Sequence, residues 1–530
     1  MATAMTVGAI VGASWAADGT QADGFRRDGT GLYPDAHPPT AWRQERDGVG
    51  YRTTNIAWKT RLPFEGASSP ICVDGRVIVT GCGNNDGEAF DVLCLDAGSG
   101  VPLWLRTLTY YDTLTLDGKA ALKQVKAPDS TNTVDALMGP LVERFGQINA
   151  ALFDQLRTNR ASVASPLYPN QVSLGSWDFL QERKAVAAKI NRLLAAADPV
   201  RFAGQGRNDF GWASPTPCTD GRFVYVYFSS RLAACYDLQG LARWVTLQPE
   251  RRQSNTEHGT HGSPLLADGK FIIPYAGTIL GLDATAGGLV WTQAIQYTWG
   301  IGYSSLVTGR VGNATVAICA HGQAVDTRTG ALAWSRVKEY AGENTTALVS
   351  GDRVFMYERT GIRAFRMPAA FGGTNAALTN VAWYNPKNQP RDEAVTNGVA
   401  LHFKPGSVVN YQIASPLFVE GLLYCVNDQG VLSVFDPQAN AMVYKRVLPF
   451  RTVYPGVSAS PVFAGGHIYI SDNQGITVVL KPGRAYEEVA CNAIDAVRDK
   501  EGHFESFLAS PCFSGNTVYI RGGDYMYAVR

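Results

Sequence analysis

The run Glu257-His258-Gly259-Thr260-His261 puts a carboxylate and two imidazoles within five residues. On one helical face such a set could hold a divalent cation, since zinc takes nitrogen and carboxylate ligands. This run contains a glycine, is followed by Gly262, and leads into Ser263-Pro264 and a strand. Zinc also needs a third and often a fourth protein ligand. The segment reads as a hydrogen-bonded loop, and no metal is expected. Gly81-Cys82-Gly83-Asn84-Asn85-Asp86-Gly87 resembles a phosphate or calcium loop in composition only. It lacks both the Lys-Ser/Thr that grips phosphate and the terminal Glu that closes a calcium loop, so it reads as a β-turn.

Nucleophilic chemistry finds no better footing. No Gly-x-Ser-x-Gly elbow occurs, and no nucleophile–base spacing stands out. Nine cysteines are scattered along the chain with no Cys-x-x-Cys. Cys94 and Cys235 share one repeat position, and Cys72 and Cys218 lie close to another. Equivalent positions in separate units are expected to be far apart or in separate layers, so these cysteines read as small core residues rather than bridges. No catalytic residue is assigned.

The elements that would carry any site are repeats. Ser69-Pro70 runs to Asp74-Gly75 and the apolar Val77-Ile78-Val79. Ser214-Pro215, Ser263-Pro264, Ser415-Pro416, Ser460-Pro461 and Ser510-Pro511 open further copies, with Ser305-Leu306 and Thr345-Thr346 as worn ones. A second half follows: an alternating stretch ending in Asp, a Gly turn, then Trp four residues after the Gly. Asp96, Gly100 and Trp104 give one example; Asp326, Gly330 and Trp334 give another. Asp and Gly suit such turns because Asp bonds nearby backbone amides and Gly accepts positive φ. Each unit therefore holds four short strands. Trp58, Trp104, Trp244, Trp291 and Trp334 are expected to be structural, wedged between neighbouring units.

Most intervals between the anchors match the roughly 40–45 residues of a four-stranded propeller blade. The expected fold is all-β: an eight-bladed β-propeller occupying residues 21–530. The last unit ends at Tyr525–Arg530 without a Trp strand, while Asn55–Thr60 is a Trp strand without a unit. The N-terminal strand is expected to complete the last blade and so protect its edge. Two long intervals mark insertions. Residues 111–210, between blades 1 and 2, carry helical spacing from Val134 to Leu156 and from Trp177 to Leu194, which suggests a helical hairpin. A smaller insertion covers 385–412.

Charged residues make up 18% of the chain, Gly numbers 55, and the net charge is +1. That balance suits an all-β protein with many turns and offers no basic footprint for nucleic acid. No stretch approaches 18 apolar residues, so no transmembrane segment is expected. Residues 1–20 read as a signal remnant or a tail: Met5–Ala16 is apolar and ends in a small-x-small step, though no basic segment precedes it. A periplasmic or extracellular location is expected, with the scattered cysteines weighing against it.

The repeat resembles the pyrroloquinoline quinone (PQQ) enzyme repeat, most clearly in Arg328–Trp334 and Asp283–Trp291. The segment from Asp28-Gly29-Thr30-Gly31 through Trp42 to Lys59 looks like the start of bacterial PQQ-like propeller-repeat proteins. The resemblance covers roughly residues 55–530 without the insertions. It implies an eight-bladed propeller. It places the chain beside quinone dehydrogenases, the propeller lipoprotein of the outer-membrane assembly machinery, and exported proteins of unassigned role. It is stronger for fold than for activity. Many alcohol-oxidising members carry adjacent cysteines, which are absent here, as is a Cys-x-x-Cys-His haem site. No calcium-binding triad maps onto this sequence.

The leading expectation is a non-catalytic propeller that binds a protein or polysaccharide on its funnel face, with no cofactor. A periplasmic PQQ-dependent dehydrogenase using calcium is the alternative, and an architectural subunit of a larger assembly is a third. In a propeller the last-to-first strand connections emerge on one face around the funnel. The binding candidates in those connections are His258, His261, Trp299, Tyr454, His503 and Phe504.

Overall fold

The computed structural model describes residues 23–530 except 49, 83–88, 129, 159–170, 173–176, 203–212, 250–260, 276, 296–302, 336–343, 359–360, 385–412, 453–455, 496–505 and 523. The residue 1–20 segment and the 385–412 insertion therefore lie outside the described residues.

Two turn devices build each unit. Asp74 and Gly75 both take positive φ, 44° and 68°, the tight turn whose twist matches the flanking strands. The next hairpin turns on an aspartate. Asp283 Oδ1 accepts from the Thr285 and Ala286 amides, each at 2.9 Å. Asp96, Asp237, Asp326 and Asp436 cap their turns in the same way.

Among the described residues these hairpins form eight sheets, and the chain is predominantly β with a β-propeller type of organisation. Numbered along the chain, sheet 1 spans 71–108, sheet 2 218–247, sheet 3 265–294 and sheet 4 307–335. Sheet 5 spans 348–384, sheet 6 417–447, sheet 7 462–494 and sheet 8 512–529. Sheet 8 takes its next strand from the other end of the chain. Ile56–Arg61 pairs antiparallel with Tyr525–Val529, setting Trp58 opposite Ala528.

Not every sheet keeps to four strands. Gly373–Ala377 lies parallel on Leu332–Ser335 of sheet 4, and Gln171–Val172 lies parallel on Ile56–Arg61. Sheet 7 gains Leu32–Tyr33 at one edge and Arg43–Asp47, with Gly50–Thr54, at the other. Covered edges cannot recruit other chains.

The innermost strands are tied by a circuit of buried hydrogen bonds. The Ser69 amide donates to Thr216 Oγ1 at 3.3 Å, and the Thr216 amide to Ser263 Oγ at 3.0 Å. The sequence continues through Ser305, Thr346, Ser415, Ser460 and Ser510, each step at 2.9 or 3.0 Å. The Ser510 amide then donates to Ser69 Oγ at 3.0 Å. Ser214 and Thr345, the expected anchors of sheets 2 and 5, stand outside this circuit. Thr216-Pro217 and Thr346 take those places, because threonine supplies the same hydroxyl.

Trp58, Trp104, Trp244, Trp291 and Trp334 are all buried, none more than 8% exposed. Four of them lie on the Gly turn of the following sheet. A methyl at Gly100 would stand 2.5 Å from the Trp58 ring, and one at Gly240 would stand 2.6 Å from Trp104. Trp244 meets Gly287, and Trp291 meets Gly330, in the same way. Trp58, Trp104 and Trp244 also donate Nε1–H to Ala97, Leu238 and Ala284 carbonyls in those turns. Trp334 departs from the pattern and donates to Gly322 of its own sheet at 2.7 Å.

The insertion after sheet 1 holds two long helices, Val134–Thr158 and Trp177–Ala197, with short helices Leu116–Ala121 and Pro199–Phe202. The largest core runs from Trp58 through sheets 1 and 2 into Val134, Ile148, Leu180, Ile190 and Leu194, so the helices share the β core. A buried ion pair, Arg183 with Asp91 of sheet 1 at 3.4 Å, fixes their placement. Burial raises the Asp91 carboxyl despite the opposing pull of Arg183.

The cysteines are free, and two of them come close together. Cys72 and Cys512 occupy innermost strands of sheets 1 and 8, and their sulfurs lie 2.7 Å apart. Cys72 lies three residues after Ser69 and Cys512 two after Ser510, so the two stand at neighbouring rather than equivalent positions of their strands.

Candidate functional site

The mouth of the funnel is built by the segments that lead into the innermost strands. In all eight sheets the circuit residue and the residue before it are buried, while the residue two before it is half-buried. Those half-buried positions form one level of side chains. Sheets 2 to 5 present Ser214, His261, Tyr303 and Asn344, and sheet 7 presents Ser458. Sheets 1, 6 and 8 present Ala67, Ile413 and Leu508. The level is polar over one arc and largely apolar over the other.

His261 and Tyr303 come from adjacent sheets and stack, with centroids 5.9 Å apart and planes 15° from parallel. Gly262 allows this approach: a side chain there would meet the Ser304 carbonyl oxygen at 2.3 Å. Between sheets 8 and 1 the brace is Arg521. Its Nη1 donates to Ser68 Oγ and to the Thr80 carbonyl, each at 2.7 Å. Burial pulls this guanidinium down to about 9.

The N-terminal segment runs across the first strands of several sheets. Asp23 exchanges backbone hydrogen bonds with Thr219 at the end of sheet 2's first strand. Gly29 passes against Val307 of sheet 4, and Leu32–Tyr33 runs parallel to the first strand of sheet 7. Arg26 is buried and donates to the Pro461 carbonyl at 2.9 Å, and burial lowers it to about 10. The chain then leaves past the sheet 8 turn, where the His37 amide donates to Gly515 at 2.8 Å. Residues 23–33 thus bridge first strands from sheet 2 to sheet 7. A small cleft remains beside them, bordered by Phe25, Arg27, Asp28, Leu266 and Val307.

Of the predicted binding residues, His261 stands at the mouth as described. His258, Trp299, Tyr454, His503 and Phe504 lie outside the described residues, so their convergence is not on view. Sequence reasoning missed Tyr303 and the bridging segment. Tyr303 was legible by a fixed offset, two residues before Ser305 as His261 is before Ser263. The segment had no repeat to betray it, since its partners outside itself are 194 to 435 residues away in sequence.

This surface offers hydroxyl, amide, imidazole and aromatic groups fixed on rigid strand ends. It suits hydrogen bonding and stacking against a bound chain. A quinone with calcium would need a carboxylate and an amide converging under it. Among the described residues Asn344 supplies an amide at this level, no Asp or Glu stands there, and no three His, Cys, Asp or Glu side chains gather as a metal site. The described residues do not fit that group. Also among the described residues, no helix is long and apolar enough to cross a membrane.

Residues 200–368 match the family model described as "Outer membrane protein assembly factor BamB". A comparison with curated proteins gave no match. Among solved structures, BamB from Moraxella catarrhalis is similar at 16% identity, covering 58% of this chain and 79% of its own, with a TM-score of 0.41. Quinohemoprotein alcohol dehydrogenase from Comamonas testosteroni is similar at 13% identity, covering 89% of this chain and 76% of its own, with a TM-score of 0.47. Over residues 200–368, about a third of its length, the chain is similar to the PQQ-like propeller family that the matched model describes.

Proposed function

We propose that this chain is an eight-bladed propeller, closed by its own N-terminal strand, which binds an extended protein or polysaccharide at the funnel mouth without catalysing chemistry on it. The observation that carries the reading is the level of half-buried side chains on the hydrogen-bonded circuit. Its polar arc, with the His261–Tyr303 stack, is held on strand ends that need no ordering when a ligand arrives. Preorganisation of this kind lowers the entropic cost of binding. The bridging segment 23–33 favours docking on the mouth over passage through the centre. The helices of the 111–210 insertion border sheets 1 and 2 and would widen the surface. The family model's description, an outer membrane assembly factor, supports a periplasmic or extracellular placement.

Arrays of extended peptides and of oligosaccharides, probed with the purified full chain, test the reading. A binder should be found in one class, and His261→Ala with Tyr303→Ala should weaken it at least about tenfold, the range of an aromatic hot spot. The melting temperature should change little. Failure of every ligand in both classes would count against the proposal, as would binding indifferent to both substitutions. Titration with PQQ and calcium should leave the cofactor spectrum and the melting temperature unchanged; micromolar binding with dye-linked alcohol oxidation would favour the dehydrogenase.

A further inference from the structure

We propose that Cys72 and Cys512 are a disulfide pair that locks the first sheet to the last across the seam of the propeller. Their sulfurs stand 2.7 Å apart, close to the 2.03–2.05 Å of a disulfide bond and far inside ordinary nonbonded contact. Both lie on innermost strands, paired in their own hairpins with Val77 and Tyr519 respectively. The strands are already pinned to each other just upstream, where the Ser510 amide donates to Ser69 Oγ at 3.0 Å. Bond formation therefore needs well under ~1 Å of sulfur movement and no change of register.

The location gives the bond a purpose. Sheet 8 is assembled from the two ends of the chain, so its junction with sheet 1 is where the closed arrangement would open first. The two cysteines are 440 residues apart in sequence. A crosslink over so long a loop removes much of the unfolded chain's freedom, in the entropic account of disulfide stabilisation. Asp91–Arg183, Arg521 and the Trp58 wedge also tie sheet 1 to its surroundings, but none of them is covalent.

The step balances as thiol–disulfide exchange. One cysteine, as thiolate, attacks an external disulfide, either of a low-molecular-weight thiol or of an oxidoreductase, and releases one thiol from it. The second cysteine then attacks the mixed disulfide and releases the other. The protein loses two hydrogens and two electrons, and the external disulfide becomes two thiols. Burial, the neighbouring Cys512 thiol and the Asp23 carboxylate all push the Cys72 thiol upward, so thiolate is scarce in the folded chain. The Tyr33 ring lies beside the pair, 5.0 Å from Phe513.

The test refolds the reduced full chain in a mixture of reduced and oxidised glutathione, quenches with acid and N-ethylmaleimide, and maps unreduced peptides by mass spectrometry. The expected product joins the peptides containing Cys72 and Cys512, two hydrogens lighter than their sum, and dithiothreitol separates it. The oxidised protein should melt above the reduced one, and Cys72→Ser should abolish both the crosslink and the difference. Full alkylation of both cysteines after oxidative refolding would overturn the proposal, as would a dominant bridge from Cys72 to Cys218. Should Cys72→Ser fail to fold, the peptide map of the unsubstituted chain decides alone.

Discussion

The sheets divide into two arcs at one structural position. On the outer strand, just where the pairing slips at a bulge, sheets 1, 2, 3, 4 and 8 place Trp104, Trp244, Trp291, Trp334 and Trp58. Sheets 5, 6 and 7 place Ala382, Tyr444 and Ala490 there. In the Trp arc four of the five rings lie on the next sheet's glycine turn, while Trp334 bonds within its own sheet. The other arc joins neighbouring sheets by polar side-chain ties instead. Arg484 of sheet 7 pairs with Asp436 of sheet 6 at 2.7 Å, and the Gly483 amide donates to Tyr424 at 2.8 Å. Over sheet 7 the N-terminal segment adds a strap: Trp42 stacks on Tyr469, and its amide donates to Asn492 Oδ1 at 2.8 Å. One junction can be closed by a wedge built into the repeat or by a strap borrowed from elsewhere in the chain.

Cutting the strap is the most severe way to test this contrast. Deleting residues 1–62 removes the cover of sheet 7 and the strand beside Tyr525–Val529 together. The bared edge should pair with other molecules, and the truncated protein should aggregate on size-exclusion chromatography. A monomer with an unchanged melting temperature would show that neither the strap nor the borrowed strand matters to closure.

A graded comparison of the arcs comes next in size. Trp104→Ala should cost about 3–5 kcal/mol in urea unfolding, because it empties a fully packed junction. Tyr444→Ala should cost only about 1–2 kcal/mol, since that ring is half-buried and leaves less apolar area behind. Gly240→Ala approaches the wedge from the other side. Its methyl would meet the Trp104 ring at 2.6 Å, on a backbone at φ 80° that disfavours a side chain, for a cost of about 1–3 kcal/mol. Equal losses at Trp104 and Tyr444 would erase the distinction between the arcs.

The wedge arc was legible in the sequence, and the strap was not. Asp, Gly and Trp recur at fixed offsets because each unit solves the same local problem, so repetition itself carried the signal. The antiparallel seam between residues 56–61 and 525–529 was also readable, as a strand lacking a unit and a unit lacking a strand. Trp42 and Arg26 had no counterpart elsewhere to compare with, and their partners are hundreds of residues away. Thr216 and Thr346 escaped for a different reason: the circuit asks for a hydroxyl, and a search for Ser-Pro was narrower than that chemistry. At the mouth, His261 was found because its histidine was conspicuous, whereas Tyr303 needed the offset rather than the residue type.

The mildest expected effect concerns how the bridging segment is held at sheet 2. Burial raises the Asp23 carboxyl to about 6, with Arg27 opposing and Asp28 assisting the shift. Burial wins because Arg27 Nε stands 4.0 Å away, an ion pair too loose to repay desolvation. An unfolded aspartate titrates near 3.9. The folded state therefore holds the proton more tightly, and Asp23's contribution to stability is fully present below about pH 4 and is lost as pH rises through about 6. Because a third of the side chain remains exposed, the whole effect should stay under about 1 kcal/mol. Asp23→Asn, which cannot ionise, should remove this slope. The melting temperature of the variant relative to the unsubstituted chain should climb between pH 4 and 7 and then level off. A difference constant over that range would mean that Asp23 titrates alike in the folded and unfolded chain, so that its burial does not perturb it.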